Sequence, residues 1–399
     1  MALFFTIFFT VYTALNYYIF IRGWQALHTL PVFKPFYVVF FVIIAYGYVI
    51  AKVLYKYLHP LAYDIILGAG AIWFAFLVYF ILFLLGLDLI RLLESFFQFL
   101  PKYFYNNYEL TKKITAIVII ALVSLIVFLG NLNKRDITIK KLEITLPKGS
   151  GKLNELNIVM ASDLHLSPID GERLLSKIID KINSVNPDII LFAGDIVDDK
   201  ANILKERGIG ESFKRLNAKY GIYSITGNHE FINEVEPTVK FMEDYGMKVL
   251  RDSYDLVDSS FYVIGREDVA MRQFTGKARK SLEEIVHSIN TNEISETSMD
   301  HLSGRSSTKT LPKILLDHTP VKLEQAEQNG IDLQFSGHTH HGQIWPANII
   351  TNIIYEVSWG YLKKGNTHYY VTSGAGTWGP PVRTGSKSEI VNIKIKFED

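Results

Sequence analysis

The sequence predicts an all-α transmembrane N-terminal region over residues 1–133, a linker and first strand over 134–155, and an α/β domain over 156–399. Three observations predict it. Four apolar runs without charge occupy the first third of the chain, short apolar strands alternate with an amphipathic helix after it, and five strand ends carry Asp, Asn or His.

The apolar runs are 1–21, 35–51, 65–87 and 114–130. Each is roughly 17 to 23 residues, near the length that crosses a bilayer core, so four transmembrane helices are expected. Lys34, Lys52, Lys112 and Lys113 stand where long side chains reach back to headgroups and lengthen the shorter runs. The first run lacks the basic start and small-residue cleavage site of a signal peptide and reads as a retained anchor. Between the third and fourth runs, "LLESFFQFLPKYFYNNYELTKK" mixes aromatics with charge, either as an interfacial segment or as a plain loop. The expected location is a bacterial cell membrane, with the lipid bilayer as partner. Lys and Arg near the run ends divide evenly between the two sides, so the positive-inside rule assigns no face.

The chain has no cysteine, which removes disulfides and thiolate chemistry, and its formal charge of +1 gives no electrostatic case for nucleic acid. "LNIVMASDLH" reads as a strand ending in acid and imidazole. "GERLLSKIIDKINSVNP" has helical spacing of Leu174, Leu175, Ile178, Ile179 and Ile182, and "DIILFAGDIVD" is a second strand ending in acid. "GIYSITGNHEF", "KILLDHTP" and "IDLQFSGHTHHGQ" repeat the pattern. Open α/β sheets place ligands at the carboxyl ends of their strands.

Asp163, His165, Asp195, Asn228, His318, His338 and His340 offer oxygen and nitrogen donors without sulfur. This set suits Mn²⁺, Fe or Zn²⁺ and exceeds one tetrahedral site, so two divalent ions are expected, with Mn²⁺ favoured. Asp195 in "AGDIVDD" is the natural bridge between ions about 3.5–4 Å apart. On an extended "GHTH" segment, His338 and His340 would point the same way, toward one metal pair.

These motifs, "DLH", "GDIVD", "GNHE", "DHTP" and "GHTH", stand in the order of the calcineurin-like metallophosphoesterase superfamily, which the domain resembles. The resemblance implies an αββα four-layer sandwich in which Asp163, His165, Asp195 and His340 hold the first metal and Asp195, Asn228, His318 and His338 the second. It implies hydrolysis by a metal-bridging hydroxide, with His229 contacting the phosphate and protonating the leaving group. "GHTHHGQIWP" and "YVTSGAGTWGPPVRTGSKSEI" further resemble the membrane-associated branch of YkuE-like phosphoesterases and UDP-diacylglucosamine pyrophosphatases, in which Arg383 is expected to contact substrate phosphate; His341 is a second substrate-binding candidate, expected as a supporting or rim residue. Glu230 replaces the usual Asp and His341 the branch's usual Gly, neither expected to touch a ligand. Asp198, Asp199 and Asp317 are expected as capping or supporting groups, and Lys277, Arg279 and Lys280 as a solvated basic surface.

The expected substrate is a phospholipid or lipid-linked diphosphate. An anchored general phosphodiesterase or phosphoprotein phosphatase is the alternative, and a non-catalytic receptor or assembly factor a third reading that His229 argues against.

Overall fold

The computed structural model describes residues 2–27, 31–149, 151–300 and 311–398, with the backbone path alone for 2–5 and 292–300. The chain divides into two compact units, Met1–Leu132 with Gly379–Val382, and Asn133–Trp378 with Arg383–Asp399.

The first unit is built on long apolar helices. Pro31–Leu54, Pro60–Phe97 and Tyr108–Asn133 are each long and apolar enough to cross a membrane. The remaining expected span is the helix Ala2–Ala26, whose first side chains lie outside the described residues. Buried Gly47, Ala51, Gly70 and Ala71 let helices Lys34–Leu54 and Pro60–Phe97 approach closely, as apolar helices do where lipid removes the hydrophobic drive to associate. Trp73 Nε1 donates to Asn16 Oδ1 at 2.8 Å, which satisfies two polar groups inside this cluster.

Helix Pro60–Phe97 has 38 residues. At 1.5 Å per residue that is about 57 Å, well beyond a hydrocarbon core of about 30 Å. The aromatic segment is therefore partly a continuation of this helix and partly the short helix Lys102–Asn106. Glu94 closes the turn between them by accepting from the Leu100 N–H and the Tyr105 hydroxyl.

The second unit carries two six-stranded sheets. The first runs β1 (Thr138–Pro147), β12 (Glu389–Glu398), β2 (Glu155–Ala161), β3 (Ile189–Phe192), β4 (Ile222–Ser224) and β5 (Lys248–Val249). The second runs β10 (Gly360–Lys364), β11 (Thr367–Val371), β9 (Leu333–Ser336), β8 (Lys313–Leu316), β7 (Phe261–Gly265) and β6 (Ser253–Val257). β2 to β5 are parallel, as are β7, β8, β9 and β11, while β12, β10 and β6 supply the antiparallel pairings.

Alternation along the strands explains the layering. Ile158, Met160, Ile189 and Leu191 meet Val263, Ile314, Leu316 and Phe335 between the sheets. Val159, Ala161, Ile190 and Phe192 point the other way, onto Leu175, Ile178, Ile179 and Ile182 of helix Gly171–Asn183. Leu315 and Ile264 face Leu282, Ile285 and Ile289 beyond the second sheet. Strands apolar on both faces are what a sheet covered on both sides requires, and here one cover is a helical layer and the other a second sheet.

Candidate metal centre

Five loops leave the carboxyl ends of β2, β3, β4, β8 and β9, and they bring the expected ligands together. Donor atoms of Asp163, His165 and His340 converge in one group and those of Asp195, His318 and His338 in another. In the first, His165 Nε2 lies 2.9 Å from His340 Nε2, and Asp163 Oδ1 lies 3.4 Å from the latter. In the second, His318 Nε2 is 3.1 Å from Asp195 Oδ2, and Asn228 Oδ1 lies 3.3 Å from His318 Nε2 and 2.8 Å from His338 Nδ1. Asp195 Oδ2 also lies 3.8 Å from His165 Nε2, so one carboxylate oxygen faces both groups.

These residues fit a pair of divalent ions. Imidazole nitrogens and carboxylate oxygens packed this closely, almost wholly buried, present lone pairs to one another in a way that a cation resolves. His165 Nδ1 is buried without a hydrogen-bond partner among the described residues, and Asp198 Oδ1 stands 3.9 Å from it. His318 Nδ1 donates to the Ala193 carbonyl at 2.7 Å, which turns Nε2 toward Asp195 Oδ2 and Asn228 Oδ1. Burial, then the neighbouring cations, holds His338 and His340 below the ordinary imidazole range, which favours the neutral form that metal ligation needs. Burial disfavours ionised Asp195, but His318 and His229 outweigh it and hold the carboxyl well below its ordinary value.

The backbone pays for this convergence in local strain. Asp163, His165, Asp195, His338 and His340 all have positive φ, between 48° and 71°. Such conformations cost of order 1–3 kcal/mol each in a non-glycine residue, and they persist where surrounding contacts over-determine them. Those contacts are visible here. His338 N–H donates to Asp163 Oδ1 at 3.0 Å, Asp163 N–H to the Gly194 carbonyl at 3.0 Å, and His165 N–H to the Asp195 carbonyl at 3.1 Å. Gly337 is required beside them, since a Cβ there would strike Ser162 Oγ and the Asp163 carboxylate. The "GHTH" segment is consequently not extended, and its two imidazoles enter the two donor groups that Asp195 faces together. His340 joins Asp163 and His165 while His338 joins Asp195 and His318.

His229 stands beside the ligands with its ring centroid 4.6 Å from that of His165. Its Nδ1 lies 2.6 Å from Asp198 Oδ1. Burial works against the imidazolium, but Asp198 and Asp195 prevail and push the His229 pKa up to about 9. Asp198 is thus a specific partner for His229, a role that "GDIVDD" alone leaves undefined. Glu230 also touches a ligand, contrary to the sequence expectation. Its carboxylate accepts from the N–H groups of Asp195, Ile196, Val197 and Gly227 at 2.6–3.0 Å and so binds the "GDIVD" loop to the "GNHE" loop.

Arg383 is placed differently from the expected phosphate contact. The side chain is fully buried, and its guanidinium donates to the carbonyls of Ser373, Gly374, Gly376 and Lys387 and to Ser386 Oγ. Burial lowers its pKa to about 10, so it stays charged as a brace for the C-terminal loop, with Nη2 3.4 Å from His340 Nδ1. His341 is half-buried, hydrogen-bonded through Nδ1 to Ser358 Oγ at 3.0 Å and packed on Trp359. Arg279 is not a free surface cation, because it pairs with Asp317 Oδ1 at 2.7 Å, and Arg266 takes the other oxygen at 2.9 Å.

Two packed sheets with Asp, Asn and His gathered at their strand ends define a metallophosphoesterase domain. Residues 156–342 match the calcineurin-like phosphoesterase family. The chain is 32% identical over 259 residues, 64% of its length, to a zebrafish (Danio rerio) protein described as a transmembrane protein with metallophosphoesterase domain, of which it covers 56%. It is 28% identical to an uncharacterized metallophosphoesterase of Helicobacter pylori over 60% of each chain. It is 25% identical to the UDP-2,3-diacylglucosamine pyrophosphatase LpxG of Chlamydia muridarum over 72% of this chain and 98% of that one. The chain thus spans a little over half the length of the first two relatives.

Proposed function

We propose that this protein is a membrane-anchored, metal-dependent phosphoesterase that hydrolyses a phosphoester or diphosphate bond of a lipid or lipid-linked substrate. The observation that carries the reading is Asp195 Oδ2 facing both donor groups, with the Asp198–His229 pair beside them. Asp163, His165, Asp195 and His340 would hold one ion and Asp195, Asn228, His318 and His338 the other. When bound, the ions, Mn²⁺ being favoured, would supply Lewis acidity for the phosphoryl oxygens and would lower the pKa of water so that it is a nucleophile at neutral pH.

The chain's own residues do the rest. Asp198 accepts from His229 Nδ1 and fixes the ring, so that Nε2 carries the proton that passes to the departing oxygen. Glu230 and the Ala193 carbonyl hold Asp195 and His318 in place before substrate arrives, which is the preorganisation that an electrostatically catalysed phosphoryl transfer depends on. Support for a lipid substrate comes from the long apolar helices and from the Chlamydia relative, whose name specifies a diacylated sugar nucleotide.

The test compares full-length protein with Asp195→Asn, both supplied with Mn²⁺ in lipid–detergent micelles, on a panel of lipid diphosphates and one soluble phosphodiester. Hydrolysis confined to a lipid class and lost in the variant is expected. Equal or better turnover of the soluble diester refutes the lipid assignment.

A further inference from the structure

Directly after the metal-ligand loop, residues 344–355, "IWPANIITNIIY", carry no charged side chain. They include the helix Ala347–Ile354, none of whose residues is buried. Ile349, Ile350, Ile353 and Ile354 are 52%, 57%, 80% and 65% exposed. Their spacing places all four on one face. Trp345 before them is exposed as well. So continuous an apolar surface is uncommon on a domain facing only water and marks an interaction site.

The opposite face is fastened to the metal centre. Asn352 Oδ1 accepts from the Ser358 hydroxyl, Ser358 Oγ lies 3.0 Å from His341 Nδ1, and the Ser358 carbonyl accepts from Thr339 Oγ1 at 2.6 Å. At the helix entry Gly342 (φ +63°) abuts the backbone of Asn348, where a Cβ would not fit, and at its exit the Tyr355 ring lies 6.1 Å from that of His338. Whatever receives the isoleucine face is therefore within a few residues of the ligands.

We propose that helix Ala347–Ile354 is a membrane-docking element, its isoleucine face immersed in the acyl boundary of the bilayer beside the metal centre. Three features identify the bilayer as the occupant. The chain carries helices long and apolar enough to cross a membrane, and the last of them ends at Asn133 while β1 begins at Thr138. The intervening residues 134–137 reach at most about 14 Å when fully extended, so β1 starts close to the end of that helix. The composition agrees: exposed Trp359 and Tyr361 follow the helix, Lys140 sits 5.3 Å over the Trp359 ring, and Lys363 and Lys364 come next in β10, an aromatic and basic border suited to the headgroup layer. Immersion there brings a lipid phosphate to the ions while its acyl chains stay in the bilayer. That consequence rests on the lipid-substrate reading; the immersion itself does not.

The absence of cysteine from the chain makes the test direct. Ile353→Cys, with Lys240→Cys as the solvent-facing control, is labelled with an environment-sensitive fluorophore in full-length protein reconstituted into phosphatidylcholine–phosphatidylglycerol vesicles. The label at 353 is expected to shift to the blue and lose most of its emission to lipids brominated on the acyl chain, whereas the label at 240 is quenched by aqueous iodide alone. Iodide quenching at 353 equal to that at 240 overturns the proposal. So does a label at 353 shielded from both quenchers, which assigns the face to a second copy or another protein. Ile350→Cys repeats the measurement should Ile353→Cys fold poorly. Because no turnover is read, a failed lipid-hydrolysis assay would leave this result standing, and the reverse.

Discussion

Replacing Glu230 by Gln isolates what the loop brace contributes. Oε2 of the carboxylate accepts from the N–H groups of Asp195 and Gly227, and Oε1 from those of Ile196 and Val197. Gln offers one carbonyl oxygen, so its amide group must turn toward two of the four N–H groups in a site with no exposure. A buried donor left unsatisfied costs about 1–3 kcal/mol, so the change is worth about 2–6 kcal/mol. That is a large part of the roughly 5–15 kcal/mol that stabilises a typical domain. Burial and the Asp195 charge push the Glu230 pKa up, whereas the Gly227 and Val197 hydrogen bonds oppose them. The ionised form is the one with two acceptor oxygens, and Gln mimics its shape without its acceptor capacity. Pulse proteolysis in denaturant, on full-length protein in micelles, should show the phosphoesterase domain of Glu230→Gln unfolding at markedly lower denaturant and retaining less Mn²⁺. Glu230→Asp keeps both oxygens and should lie between the variant and the parent. A Glu230→Gln domain as stable and as metal-loaded as the parent would refute the reasoning.

Asp198→Asn should lower kcat about 10- to 100-fold with metal content little changed, because it loosens His229 directly and meets the expected ligands only at His165, whose Nδ1 is 3.9 Å from Asp198 Oδ1; metal analysis beside steady-state kinetics checks this, and loss of metal would reassign Asp198 as a ligand. His229→Ala should cost about 10²–10⁴-fold in kcat on an ester with a poor leaving group and much less on a nitrophenyl ester, a contrast absent if His229 transfers no proton. Arg383→Lys leaves several buried carbonyls without donors and should destabilise the domain by about 2–4 kcal/mol with little change in KM. A raised KM at unchanged stability would restore the phosphate contact. Stripping the ions with a chelator should abolish hydrolysis and Mn²⁺ should restore it; activity that persists after complete removal would sink the dimetal reading.

Much was legible in the sequence because it depends on local pattern. Charge-free runs mark long helices whatever the fold, since no bilayer core tolerates an unpaired charge cheaply. The 3.6-residue spacing of Leu174 to Ile182 fixes the buried face of its helix, and the two-residue alternation in Ile158 to Ala161 fixes which side chains meet the other sheet. The convergence of Asp163, His165, Asp195, His318, His338 and His340 was legible for a related reason: a strand end is a defined place, and five of them repeat one kind of donor.

What tertiary structure decided are matters of approach between distant segments. Sequence places Arg383 in a glycine-rich stretch with a free charge, yet the fold turns five carbonyl and hydroxyl oxygens onto its guanidinium. A "GHTH" run after a strand reads as extended, but the loop bends: His338 has positive φ and its N–H donates to Asp163 Oδ1, while His340 groups with Asp163 and His165 and His338 with Asp195 and His318, the division that the family resemblance implies. Glu230 and Asp198 look like ordinary acids near a motif, and only the distance between loops makes one a clamp on four N–H groups and the other the partner of His229. The sequence by itself determined the donor set and the helices, through patterns a few residues long. Which charge is spent on holding the others was decided by packing, because it alone sets the distance between loops 31–35 residues apart, Asp198 to His229 and Glu230 to Asp195, and curls residues 373–387 around Arg383.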